Sequence, residues 1–180
     1  MRTLILMVCL AFSLPVLSDE NHGIGKITND ELDLTYIDHV LTGRVGDRPV
    51  FARPAKEGFG LYLWHRANGQ DFESSLRVEG DRIKGAVLSQ SLNGESIEEE
   101  FYYTEREQGL LKGVIGDRTF MVEISSEAMN GHHYINPHFL VTFGDGQTYE
   151  FDLKNSQACM GCSMKLTYAV LSMLYSYGTI

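Results

Sequence analysis

The sequence predicts a mainly β fold: an antiparallel meander of about ten strands forming a barrel or strongly curved half-barrel, with one C-terminal α-helix packed on its concave face. Three observations carry this expectation. Leu41-Thr42-Gly43-Arg44-Val45-Gly46-Asp47-Arg48 is nearly restated seventy positions later as Leu111-Lys112-Gly113-Val114-Ile115-Gly116-Asp117-Arg118. Each copy is an apolar/polar alternation closed by a Gly-Asp turn, the pattern of a β-hairpin, and Ile83-Lys84-Gly85-Ala86-Val87 is a third relative of its strand half. Turn signals then recur at about the 8–12-residue spacing of all-β domains, and sustained helical periodicity is confined to the last stretch of the chain.

Residues 1–18 read as a secretory signal, with Arg2 as the positive start, an apolar run from Leu4 to Leu14, and small residues around a cleavage site after Ser18. Residues 19–31 are polar and without period, a flexible lead-in, and 32–180 form a single domain. Strands begin with the alternation of Leu32, Leu34 and Tyr36, then of Leu41, Gly43 and Val45. Gly46-Asp47 turns the chain into 48–53, where Pro49 and Pro54 suggest an edge. The strongly apolar 59–66 is followed by Asn68-Gly69, a two-residue hairpin signal, and by strands at 72–78 and 82–88 joined through Gly80-Asp81. Asn93-Gly94 leads into 97–104; the second copy of the repeat spans 110–115 and 118–125; and two strands flank Asp145-Gly146. Gly43, Gly85 and Gly113 lie on apolar strand faces, where a glycine wastes packing unless the sheet bends or something approaches closely. The helix is expected over 156–177, capped by Asn155 or Ser156 and ended by Gly178. Both its faces are apolar, so it should be buried on more than one side; Lys165 and its hydroxyl-bearing residues argue against a membrane span.

With 43% hydrophobic and 22% charged residues, the chain has ample apolar material for a core, and loss of Arg2 with the signal moves the net charge from −9 to −10. An acidic surface excludes nucleic acid and anionic membrane as principal partners, since both reward Lys/Arg clusters, and it allows a basic protein partner. Export also removes Cys9, leaving Cys159 and Cys162 in an oxidising compartment, periplasmic or extracellular, where a Cys159–Cys162 disulfide is the expectation.

Cys159-Met160-Gly161-Cys162 is the sharpest local motif. In the first turn of a helix its two sulfurs share a face and the helix dipole favours a thiolate, which is how redox-active pairs gain reactivity. Against that reading, no thioredoxin-like strand order surrounds it, Ser163 stands where c-type haem attachment needs histidine, and a zinc site would have to recruit His132, His133 or His138. A disulfide closing so short a loop stabilises by only roughly 2 kcal/mol, so stability alone explains the motif poorly. Burial of the stripe shared with Leu166, Met173 and Tyr177 should shield both sulfurs and raise their pKa values.

The irregular loop 131–138 holds three of the six histidines, His132, His133 and His138, and loops that interrupt a meander often bind. Tyr62, Trp64 and His65 lie on a strand apolar on both faces and could line a ligand-filled interior. The run Glu95, Glu98, Glu99 and Glu100 reads as a solvated face or a contact for a basic partner. No nucleophile elbow, phosphate loop or calcium loop is present, and no cofactor or resident metal is implied. The expected architecture resembles that of calycin-type carriers and of the half-barrel lipoprotein carriers of bacterial periplasms, in architecture alone, because no lipocalin Gly-x-Trp signature occurs. The functional expectation is an exported, non-enzymatic binding protein that takes an apolar small ligand or a basic protein partner, in a carrier role or an inhibitor- or immunity-like one. The alternative is a thiol–disulfide or metal-binding protein built on Cys159 and Cys162.

Overall fold

Alternation with period two forces each strand to bury one face, and a meander of such strands removes its edges by curling until the first meets the last. The computed structural model describes residues 24–67, 69–90 and 95–180 and shows that solution. The expected signal at 1–18, the first part of the lead-in and the Asn93-Gly94 turn lie outside the described residues. Twelve strands follow one another in an antiparallel sheet: β1 (Gly25–Thr28), β2 (Leu32–Ile37), β3 (Val40–Val45), β4 (Arg48–Pro54), β5 (Gly60–Ala67), β6 (Gln70–Glu79), β7 (Arg82–Gln90), β8 (Ser96–Glu107), β9 (Leu110–Ile115), β10 (Arg118–Ser125), β13 (His138–Phe143) and β14 (Thr148–Asp152). Between β10 and β13 the chain leaves the sheet for β11 (Ala128–Asn130) and β12 (His133–Ile135), which pair with β15 (Gln157–Cys159) in a separate three-stranded sheet. Helix α1 (Met160–Ser176) follows directly.

The barrel is nearly closed. Lys26 and Lys154 exchange two backbone hydrogen bonds of 2.9 and 2.8 Å across the gap between β1 and the end of β14, and Asn29 Nδ2 donates to Tyr149 Oη at 2.8 Å beside them. The flexible lead-in expected over 19–31 therefore contains a strand, with Ile27 fully buried, because β2 pairs with it from Gly25↔Tyr36 to Thr28↔Asp33 and Lys154 closes its other edge. The expected helix start at 156 is also displaced: 157–159 is strand, since its backbone groups find partners on β12, in the register His133↔Cys159.

Helix α1 fills the barrel, with every residue from Cys162 to Leu174 except Lys165 buried. Each buried Leu, Val or Met contributes roughly 1.5–3 kcal/mol relative to exposure, which outweighs the helix's lack of a polar face. It comes close to the wall at Gly85, where an added Cβ would meet Tyr168 Cε2 at 2.7 Å. Gly113 and Gly43 are also approached closely, the first by Phe120 and the Tyr102 carbonyl, the second by the backbone of Asp33 and Leu34, so only one of the three strand glycines makes room for the helix. The β6–β7 ladder stops at Leu76↔Gly85. Beyond it the helix supplies hydrogen bonds: Tyr168 Oη reaches the Ala86 carbonyl at 2.7 Å and Ser74 Oγ at 3.0 Å, and the Ser176 hydroxyl donates to the Leu88 carbonyl. Among the described residues no helix is long and apolar enough to cross a membrane.

Candidate functional site at the cysteine pair

Meander topology puts the β2/β3, β4/β5, β6/β7 and β8/β9 turns at one end of the barrel, and the N-terminus of α1 emerges there beneath the small sheet. Cys159 is both the last residue of β15 and the helix N-cap. Its backbone is extended (φ −75°, ψ 171°), and its Sγ accepts from the Cys162 N–H at 3.2 Å, the position a serine or aspartate oxygen usually takes. Cys162, one turn in, is 4% exposed, whereas Cys159 is half-buried. The expectation that one stripe buries both sulfurs therefore holds for Cys162 only, because Cys159 is not yet in the helix.

The two Sγ atoms are 2.8 Å apart and both thiols are free, so the expected disulfide is not formed here. A covalent S–S bond is about 2.05 Å, about 0.8 Å shorter than this separation. In the dithiol form the two sulfurs are inequivalent. The hydrogen bond from the Cys162 thiol, the backbone N–H groups of Cys162 and Gly161, and the nearby His133 hold the Cys159 thiol well below its ordinary range, against a smaller opposing effect of burial. Cys162 is pushed far up, by hydrogen bonding to the Cys159 thiolate, by burial and by the charge of that thiolate.

Two further residues meet the pair from the β2/β3 hairpin. Asp38 and His39 both have left-handed backbones (φ 48° and 66°), the geometry of a tight two-residue turn usually given to Asn-Gly or Gly-Gly. Non-glycine residues there cost on the order of 1 kcal/mol each. The turn delivers His39 Nδ1 to 2.9 Å from Tyr36 Oη and 3.5 Å from Cys162 Sγ. Tyr36 is buried beside Cys162, and burial, then the charge and hydrogen bond of Cys162, raise its hydroxyl's pKa, so it remains a donor.

On its other side Cys159 opens onto a groove of about 410 Å³, lined among others by Arg106, Gln108, His132, Tyr134 and Met160. Tyr134 Oη accepts from the Gly109 N–H at 2.7 Å, tying the small sheet to the β8/β9 turn and shaping that wall.

The other residues singled out from the sequence are dispersed. His132 lines the groove, and His133 is the cross-strand neighbour of Cys159. His138 lies on the outer wall, its Nδ1 2.7 Å from Asp152 Oδ1, away from the cysteines. Tyr62 and Trp64 face outward under Arg53 and Arg66, while His65 points inward; they do not line one interior. That interior is occupied by α1, and the pocket bounded by Tyr36, His39, Leu41, Leu61, Lys165, Leu166 and Ala169 measures only about 10 Å³. No group of three or more His, Cys, Asp or Glu side chains among the described residues is placed to hold a metal ion. His39 and Tyr36 escape sequence reasoning; the one local signal is a hairpin turn made of Asp-His where glycine is the usual choice. Comparison with known family models, curated proteins and solved structures finds no match for this chain.

Proposed function

We propose that the chain is a thiol–disulfide exchange protein, with Cys159 as the attacking thiol and Cys162 as the thiol that resolves the mixed disulfide. The carrying observation is the asymmetry of the pair: a partly buried cysteine at a helix N-cap lines a groove, with a buried cysteine whose sulfur is 2.8 Å away behind it. A thiolate is the nucleophile in exchange, and the hydrogen bonds at the N-cap favour it on the reachable sulfur. In the oxidised state the same residues form the Cys159–Cys162 disulfide. The leader-like pattern of residues 1–18 supports a periplasmic or extracellular setting, in which such a pair meets other proteins' disulfides.

The filled interior gives less support to a carrier of an apolar ligand. A basic protein partner has a specific observation in its favour: a groove of about 610 Å³ over β6, β7 and β8, lined by Glu73, Glu79, Glu98, Glu99 and Glu100 against Arg77 and Lys84. The two readings are compatible, since exchange and partner contact occupy different faces.

The test is the reaction of the reduced protein with a small aromatic disulfide at neutral pH. Cys162→Ser should react quickly and retain the mixed disulfide on Cys159, while Cys159→Ser should react about a hundredfold more slowly, because a buried thiol is neither ionised nor reachable. Equal rates for the two variants would overturn the assignment.

A further inference from the structure

Resting on the exchange reading above, a second step needs explaining: Cys162 is a thiol held protonated by its surroundings, yet it has to attack. We propose that His39 is the catalytic base that takes the proton of Cys162 when the mixed disulfide on Cys159 is resolved, with the Tyr36 hydroxyl steadying the thiolate that forms.

Three features of the site carry this. The first is reach: His39 Nδ1 is 3.5 Å from Cys162 Sγ, within the range of a sulfur hydrogen bond, so the proton has an acceptor once the Tyr36 hydroxyl turns away from that nitrogen. The second is the cost at which that position is held, two consecutive non-glycine residues with left-handed backbones at the β2/β3 turn. Such strain gathers where a side chain has to be aimed, and this turn aims His39 at the one buried thiol. The third is Tyr36, whose Oη lies 2.9 Å from the same Nδ1 and also within hydrogen-bonding reach of Cys162. One hydroxyl hydrogen can thus serve the ring nitrogen in the resting dithiol and swing to the sulfur as Nδ1 is protonated. The ring is partly exposed, so its proton can pass on to water.

The step balances as follows. The Cys159 thiolate attacks one sulfur of a substrate disulfide R–S–S–R′, forming Cys159–S–S–R and releasing R′S⁻. The S–H proton of Cys162 moves to His39 Nδ1, and the resulting Cys162 thiolate attacks Cys159 Sγ. The Sγ–Sγ bond forms, the bond from Cys159 to the substrate sulfur breaks, and its electron pair leaves as RS⁻, which takes a proton from the His39 imidazolium or from water. The substrate disulfide gains two electrons and becomes two thiols, and the pair loses two and becomes a disulfide. Formation of the mixed disulfide removes the negative charge of Cys159, which had opposed ionisation of Cys162; burial is the obstacle that remains, and a neighbouring base answers it. Among the described residues, the titratable or charged groups that meet His39 or its partner Tyr36 include Asp38 on the same hairpin, Cys159 at the end of β15, and Cys162 and Lys165 on α1. Leu41, Leu61, Leu166 and Ala169 complete the wall.

The experiment follows both phases of the reaction of the reduced full chain with a small aromatic disulfide across the neutral pH range: release of the first thiol, then of the second. In the wild type the second phase should show an inflection of its own, slowing as pH falls. His39→Asn keeps a residue that tolerates the left-handed turn, and in it the second phase should slow about a hundredfold more than the first and lose that inflection. Tyr36→Phe should slow the second phase and keep the inflection. A wild-type second phase with no inflection overturns the role of His39 without any variant, so poor folding of His39→Asn would not shelter it. A normal first phase with an unaltered second phase in His39→Asn overturns it as well. Absence of a first phase at Cys159 in the wild type overturns the exchange reading itself.

Discussion

His65 should make this protein acid-sensitive in a way that one substitution removes. The side chain is 3% exposed, inside the barrel, and neither ring nitrogen meets a hydrogen-bonding partner. It stacks on Tyr177 at 5.5 Å and meets Phe72 edge-on at 5.2 Å, while the Arg48 guanidinium covers the Tyr177 ring at 4.2 Å. Burial first, and the positive charge of Arg48 second, push its pKa down from 6.5 to about 4. The folded state thus binds the proton less readily than the unfolded chain. Stability is complete above 6.5, falls as pH drops through the window from 6.5 to about 4, and levels off below it. At 1.36 kcal/mol per pKa unit the loss attributable to His65 is about 2 kcal/mol at pH 5 and about 3 kcal/mol at pH 4. Carboxylates also titrate there, so the assay is a comparison: urea unfolding of the wild type and of His65→Leu at pH 7 and pH 5. The wild type should lose about 2 kcal/mol more than the variant between the two. Equal losses would refute the reasoning, and would mean that the ring finds a partner or water in solution.

Two further predictions concern the seam between helix and wall. Tyr168→Phe removes the hydroxyl that bonds the Ala86 carbonyl and Ser74 Oγ where the β6–β7 ladder has ended; it should cost about 1–2 kcal/mol, with faster amide exchange along β7 as the local sign, and an unchanged exchange pattern would count against the seam. Gly85→Ala places a methyl 2.7 Å from the Tyr168 ring and 3.0 Å from the Ser75 carbonyl, so it should lose about 1–3 kcal/mol by overpacking, read as a lowered denaturation midpoint with unchanged slope.

Local signals made the meander legible. The expected bounds of β9 and β10 coincide with the observed ones because alternation and the Gly116-Asp117 turn point the same way. What failed to show is everything decided by distant partners. β1 is four residues long, and its closing contact lies at Lys154. β15 reads as the start of a helix until its pairing with β12 is known. The candidate site shared that limit. The Cys-x-x-Cys motif was visible, but its division into one reachable and one buried sulfur depends on β15 ending at Cys159, and His39 lies 123 positions from Cys162. Of the loop histidines, His132 and His133 do reach the site, whereas His138 belongs to a neighbouring wall strand and is carried away from it.

The junction between β15 and α1 explains how a buried plug and a sulfur favoured as the thiolate lie in one segment. Had the helix begun at 156, Cys159 would sit on the stripe that packs against the barrel, and burial would oppose ionisation of both sulfurs alike. Extending the strand to Cys159 makes this residue the N-cap instead, so the unsatisfied N–H groups of the first turn converge on its sulfur, and Cys162 takes the packed position behind it. Three contacts oppose a shift of the helix along its axis. Tyr103 Oη holds the Met164 carbonyl at 2.6 Å near this end, Tyr168 is locked into the β6–β7 seam, and Tyr177 stacks on His65 at the other end. On the exchange reading proposed above, a pair held by these contacts changes protonation and bonding on a fixed scaffold, and a base on a separate hairpin, His39, stays within reach of Cys162 through the cycle.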